Sequence, residues 1–130
     1  MTRERYSSGA KWEPEVGYSR AIRVGDRILV AGTTAVDENG DVVGEGDAFE
    51  QARFAFAKCL AAVEALGGKA EDVVRTRMYV VDVAQNAESI GRAHRAAVGE
   101  AMPVATLVGV AALIDGRLLV EVEVEAVVSP

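Results

Sequence analysis

Leu119-Val120-Glu121-Val122-Glu123-Val124-Glu125 repeats with a period of two, so its valines share one face of an extended strand and its carboxylates the other. An amphipathic strand of this kind must cover its apolar face, and the valine side is expected to pack beneath helices. Three like charges in a row repel one another unless water, cations or a partner offset them. Arg75 and Arg77 alternate in the same way on another strand-like run and are the natural counter-ions if the two strands are neighbours. A sheet with one helix-covered face and one open face also invites self-association, with the open face lining the interior of a ring of subunits.

Outward from this strand, the chain reads as further strands around two helices. Residues 19–24 and 27–32 are β-like runs separated by Gly25-Asp26, a two-residue hairpin connection in which glycine supplies the positive φ. The loop over 37–46 is dense in Asp, Asn and Gly, with a turn signal at Asn39-Gly40. Asp47 stands where an N-cap belongs, with Glu50 three residues on, the spacing of a capping box. Phe49, Ala52, Phe56, Cys59, Val63 and Leu66 then recur at helical spacing until Gly67-Gly68.

Residues 73–83, rich in valine, read as a strand entered by a turn at Glu71-Asp72. A second helix spans 86–99, with an apolar face through Ile90, Ala93, Ala97 and Val98, and Pro103 prevents its continuation. Residues 105–113 and 118–128 are expected to pair as a closing hairpin around Asp115-Gly116. The order ββαβαββ gives an α+β sandwich, a mixed sheet with two helices on one face. Trp12 lies in a stretch without structure signals and is expected to cover a core edge or to line a pocket, with packing the favoured reading.

Composition narrows the function classes. The 130 residues suit one domain, 1–130, and with 50% hydrophobic and 26% charged residues the chain is no disordered segment. Twenty acidic against fourteen basic residues leave a formal charge of −6, which repels phosphate backbones and argues against nucleic acid as a partner. One Cys and one His exclude a multi-ligand metal site, and no cofactor is expected. Residues 1–18 are charged and lack the apolar run of a signal peptide, and no stretch approaches the ~20 apolar residues that span a bilayer. The expected compartment is the cytosol, where Cys59 stays reduced.

Familiar catalytic motifs are missing. None of Lys11, Lys58 or Lys69 has the flanks of a phosphate loop, and Gly44-Glu45-Gly46 lacks the third glycine of a dinucleotide fingerprint. His94 has no G-x-S-x-G elbow to serve and reads as a helix-packing or surface histidine. Cys59 falls on the apolar stripe of the first helix and reads as core.

Three stretches nevertheless carry a resemblance. Residues 17–32, from Gly17-Tyr18-Ser19-Arg20 to Val30-Ala31-Gly32, resemble the N-terminal hairpin of the YjgF/RidA family. Gly67-Gly68 with Glu71-Asp72-Val73-Val74-Arg75-Thr76 resembles that family's G-x-x-x-x-D-I-V-K-T centre. Pro103-Val104-Ala105-Thr106 and the later Val122-Glu123-Val124-Glu125-Ala126 are similar to its P-A-R-x-x-x-x-V and I-E-I-E-A signatures. The resemblance covers nearly the whole chain in order.

It implies a chorismate-mutase-like α+β fold assembled as a homotrimer, its sheets forming a central barrel with small-molecule pockets between subunits. It further implies hydrolysis of reactive enamines and imines to a ketoacid and ammonia, with an Arg clamping the substrate carboxylate and a Glu positioning water. Tyr18, Gly32 and Glu123 match the family's site positions, Glu123 in the water-activating role and Tyr18 shaping the pocket. The clamp position, however, is Ala105; the nearby family Cys is Leu107, and the helix Asn of some members falls near Gly91. A methyl group cannot hold a carboxylate, and losing such a charged hydrogen bond costs about 1.5–3 kcal/mol, roughly ten- to a hundred-fold in binding or rate.

The expected substrate is therefore not a standard 2-iminoacid, or another cation replaces the clamp: Arg20, Arg77, or Arg3 or Arg5 from a neighbouring subunit. Backbone N–H groups near Gly32 or Thr106 would polarise the ligand. Two further readings stand beside this hydrolase: a trimer that binds a small-molecule metabolite without chemistry, and, more weakly, an endoribonuclease.

Overall fold

The computed structural model describes residues 2–129. One six-stranded sheet runs in the order β1-β2-β3-β6-β4-β5. Its strands are β1 (Arg3–Tyr6), β2 (Ala21–Val24), β3 (Arg27–Thr33), β4 (Val73–Val81), β5 (Val104–Val110) and β6 (Val120–Val127). The helices are α1 (Trp12–Val16), α2 (Ala48–Ala65) and α3 (Val83–Val98). The mixed α+β architecture matches the expectation, with α2 and α3 packed together over the sheet.

β6 has the centre of the sheet, as its pattern demands. Val120, Val122 and Val124 are at most 1% exposed, each burial being worth about 1.5–3 kcal/mol against an exposed side chain. They join Ile28, Phe56, Val63, Val80 and Ile90 in a core between sheet and helices. β4 lies antiparallel beside β6 and sets Arg75 opposite Glu125 and Arg77 opposite Glu123, the neighbour relation required for charge balance.

The expected closing hairpin does not form. β5 pairs parallel with β4, Arg75 opposite Val104 through Val81 opposite Val110, while β6 inserts between β3 and β4. The Asp115-Gly116 signal does make a tight turn: the Leu118 N–H donates to the Asp115 carbonyl at 3.0 Å and the Arg117 N–H to the Asp115 carboxylate at 2.8 Å. That turn sits in a crossing loop between strands that are not neighbours. β5 has mostly exposed side chains and suits a sheet edge, whereas β6 has one face to bury and one to neutralise.

The first hairpin is as expected, with Val24 opposite Arg27 across Gly25-Asp26. Asp47 caps α2 by accepting from the Glu50 N–H at 3.0 Å. The Glu50 carboxylate turns to Arg53, its Nε at 2.9 Å, so the box is half made. Gly67, at φ +91°, ends the helix in the left-handed region that favours glycine. Residues 2–18 hold two elements without clear sequence signals: β1, which adds to the edge of β2, and α1, whose Pro14 stands in a first turn where a missing N–H costs nothing. The α1 residue Glu13 is 5% exposed and accepts from the Ser8 hydroxyl at 2.6 Å, tying the preceding loop to the helix.

Candidate functional site

A cavity of about 720 Å³ opens where the C-terminal end of β3, the N-terminal end of β6, one flank of α2 and the α1–β2 connection meet. Trp12, Tyr18 and Phe54 give it an aromatic wall, and Arg20, Lys58 and Glu121 give it charge. Arg20 leads into β2 and reaches across to the Gly32 carbonyl with Nη2, while its guanidinium carbon lies 5.7 Å from the centre of the Tyr18 ring. Its Nε is buried without a hydrogen-bond partner, a donor in reserve beside the cavity.

Lys58 donates from Nζ to the Thr34 carbonyl at 3.1 Å and the Val36 carbonyl at 2.8 Å, fixing the loop after β3 against α2. Burial, and then the nearby Arg20 cation, lower its pKa. Gly32 leaves the space that the end of Glu121 occupies: an added Cβ would meet a Glu121 carboxylate oxygen and would have to displace it. Burial raises the Glu121 pKa above its ordinary value, Arg20 pulls it back in part, and Glu123 adds a smaller push upward.

The rest of the open face of β6 is tightly paired. Arg77 Nη1 lies 3.1 Å from Glu125 and 4.0 Å from Glu123; Arg75 Nε and Arg27 Nη2 reach Glu125 at 3.4 and 3.3 Å. The Tyr79 hydroxyl donates to Glu123 at 2.6 Å, which raises the pKa of the phenol.

Of the residues singled out from sequence, Tyr18, Arg20 and Gly32 line the cavity together. Glu123 and Arg77 lie on the same sheet face 4.0 Å apart, Glu123 taken by Tyr79 and Arg77 by Glu125, rather than lining the cavity. Ala105, Thr106 and Leu107 are on the edge strand β5, three strand spacings or about 14 Å from β3. Arg3 and Arg5 are exposed on β1, at the opposite edge. Trp12 takes the second of its two expected roles: it lines the cavity and is 56% exposed, with the Lys11 ammonium 4.8 Å from its ring centre.

Lys58, Phe54 and Glu121 escaped sequence reasoning. Phe54 and Lys58 are four apart on α2, a spacing that puts both on one flank of the helix. His94 packs, its Nε2 2.7 Å from the Thr76 hydroxyl and its ring edge-on to Phe56, and burial lowers its pKa. Cys59 is fully buried, which pushes its thiol up to about 11 and removes it as a nucleophile. Among the described residues no cluster of three or more His, Cys, Asp and Glu could hold a metal, and no helix is long and apolar enough to cross a membrane.

A family model described as Endoribonuclease L-PSP matches residues 9–128, and the fold superposes on a solved YjgF/YER057c/UK114 family member from Mycobacterium tuberculosis. The chain belongs to the YjgF/RidA family. That mycobacterial structure is 40% identical, with a TM-score of 0.87 and coverage of 98% of this chain and 100% of its own. Another YjgF/RidA-type structure, RidA from an Antarctic Psychrobacter, is 29% identical at a TM-score of 0.78 over 86% of this chain and 89% of its own. A Streptomyces coelicolor protein described as uncharacterized is 43% identical over 94% of this chain and 90% of its own length.

Proposed function

We propose that this YjgF/RidA protein is a small-molecule hydrolase that cleaves C=N or enamine bonds, releasing a carbonyl compound and ammonia. The observation that carries the reading is the cavity itself, where Tyr18, Arg20 and Gly32 meet beside a carboxylate. An aromatic wall holds the organic body of a substrate, and the cations and carboxylate that line the same cavity supply what polarising a C=N bond and moving a proton require.

The substrate is not a standard 2-iminoacid. Ala105 replaces the family's carboxylate clamp, and Arg77 is already bound to Glu125 and Glu123. Arg20, with its spare Nε donor, is the better-placed cation. In this reading the chain works as a homotrimer, single domain by single domain, in the cytosol and without a cofactor. The β5 edge, with Ala105, Thr106 and Leu107, would then close the cavity of a neighbouring subunit. The distance of that edge from the cavity within one chain supports the arrangement.

The test compares two imine sources: iminoacids from an amino-acid oxidase, and the carboxylate-free imine of benzylamine from a flavin amine oxidase. Wild type is expected to speed carbonyl release from the second more than from the first, and Ala105→Arg to gain on the first. If neither protein exceeds the spontaneous rate on either imine, the hydrolase reading falls.

A further inference from the structure

The three carboxylates on the open face of β6 are not equivalent. Glu125 is surrounded by Arg27, Arg75 and Arg77, and Glu123 accepts the Tyr79 hydroxyl. Glu121 alone of the three lines the cavity, and among the described residues its carboxylate makes no hydrogen bond or ion pair. Its carboxylate fills the space that the missing side chain of Gly32 leaves. An unspent carboxylate lining a cavity, with a cation nearby, is the arrangement that proton transfer to a bound substrate needs.

We propose that Glu121, not Glu123, is the acid–base residue of this site. The inference rests on the hydrolase reading above and says which group moves the protons. The groups facing Glu121 are Arg20 from the start of β2, Glu123 on its own strand, Tyr79 opposite it on β4, Lys58 from α2, and Asp37 and Glu38 of the loop after β3. Burial and Glu123 favour the protonated form, and Arg20 opposes them. The result is a carboxyl that stays neutral to a higher pH than an exposed glutamate, which eases its giving as well as its taking of a proton.

The reaction balances with this one group. The Glu121 carboxyl gives its proton to the imine nitrogen while the oxygen of water bonds to the imine carbon. A water proton returns to the Glu121 carboxylate, leaving a carbinolamine. Glu121 then protonates the amine nitrogen and takes the hydroxyl proton as the C–N bond breaks, releasing ammonia and the carbonyl compound. In this scheme Glu123, held by Tyr79, is a positioning residue that raises the proton affinity of Glu121 through its charge.

Wild type, Glu121→Gln, Glu121→Asp and Glu123→Gln are compared on the imine of benzylamine, with kcat and KM measured across pH 5–9. Glu121→Gln is expected to lower kcat about a hundred-fold or more with KM within threefold, and to abolish the ionisation in the kcat profile. Glu121→Asp, which keeps the carboxyl and pulls it back by one methylene, should restore the pH dependence at reduced rate. Glu123→Gln should keep the ionisation and shift it downward, since a neighbouring negative charge is gone. Thermal melts of each variant establish that the fold persists.

Full activity with an unchanged profile in Glu121→Gln, or loss of the ionisation in Glu123→Gln instead, overturns the assignment while leaving the hydrolase reading in place. A wild type inactive on every imine overturns both. An NMR titration of carboxyl-labelled glutamates gives a reading independent of turnover: the signal lost in Glu121→Gln must titrate above the exposed glutamates, and an ordinary value refutes the poised carboxyl.

Discussion

Replacing Gln51 by Leu tests how the cavity's scaffold is held. Gln51 is fully buried in α2, yet every polar atom of its side chain is used. Nε2 donates to the Gly44 carbonyl at 3.2 Å and the Arg117 carbonyl at 3.0 Å, and Oε1 accepts from the Leu119 N–H at 2.8 Å. One side chain thus joins the helix to the loop before it and to the entry of β6, two residues ahead of Glu121. Leucine fills nearly the same space but leaves two carbonyls and an N–H without partners. At about 0.5–1.5 kcal/mol for each net hydrogen bond, the loss sums to roughly 2–4 kcal/mol. For a chain of this size about 3–5 °C accompanies each kcal/mol, so Tm should fall by roughly 6–20 °C.

Differential scanning calorimetry at pH 7 measures this, and Gln51→Glu supplies the control with a sign. Glutamate keeps the acceptor for Leu119 but points a carboxylate at two carbonyl oxygens unless it is protonated. Its folded-state pKa must therefore lie above the unfolded value, and the variant should lose stability as pH rises through that folded value. A Gln51→Leu melting point within 2 °C of wild type, or a Gln51→Glu stability that rises with pH over 4–8, would refute the account of Gln51 as a clamp.

Gly32→Ala should leave the melting point within a few degrees, since only the flexible end of Glu121 has to move, but lower imine hydrolysis at least tenfold; unchanged turnover would mean that the position of that carboxylate is unimportant. The Tyr79 phenol should ionise above its ordinary value in an ultraviolet titration and return toward it in Glu123→Gln. Because the folded state favours the neutral phenol, this contact stabilises at lower pH and is lost as pH rises through the folded pKa; a titration insensitive to Glu123→Gln contradicts the hydrogen bond. Cys59 should resist thiol reagents until the protein unfolds, and rapid native labelling would contradict its burial. Light scattering at micromolar concentration should give the mass of three chains, and a monomer would remove the shared cleft.

Where one residue type carries a local instruction, the sequence was readable. The Gly25-Asp26 connection, the Asp47 cap and the valine–glutamate alternation of β6 each depend on near neighbours, and all three stand in the fold. Strand partners are decided by distant residues, and there local reading failed at Asp115-Gly116. The turn formed, but the flanking strands found other partners, because β6 buries valines on one face and meets arginines of β3 and β4 on the other. β1 and α1 were invisible for a related reason: a four-residue strand with three exposed side chains and a five-residue helix hold their shape only by docking on β2 and on the Ser8–Glu13 contact.

At the site, Tyr18 and Gly32 could be found in sequence because they match the family's site positions, and Arg20 because a missing clamp called for another cation near them. Lys58 and Phe54 come from a helix flank, and Glu121 differs from Glu123 only in which neighbours it meets across the sheet. No pattern within a single strand distinguishes those two carboxylates.

The strand at the middle of the sheet is also the last of the six in chain order. Until β6 emerges from the ribosome, β1–β3 and β4–β5 are separate fragments, each offering an unpaired strand edge, and the two helices have only part of a floor to cover. Folding of the nascent chain must therefore wait for its final strand, and its rate is governed by closure over long sequence separations rather than by the early hairpin. A ribosome stalled short of residue 120 would hold a chain with most of its residues and almost none of its cooperativity.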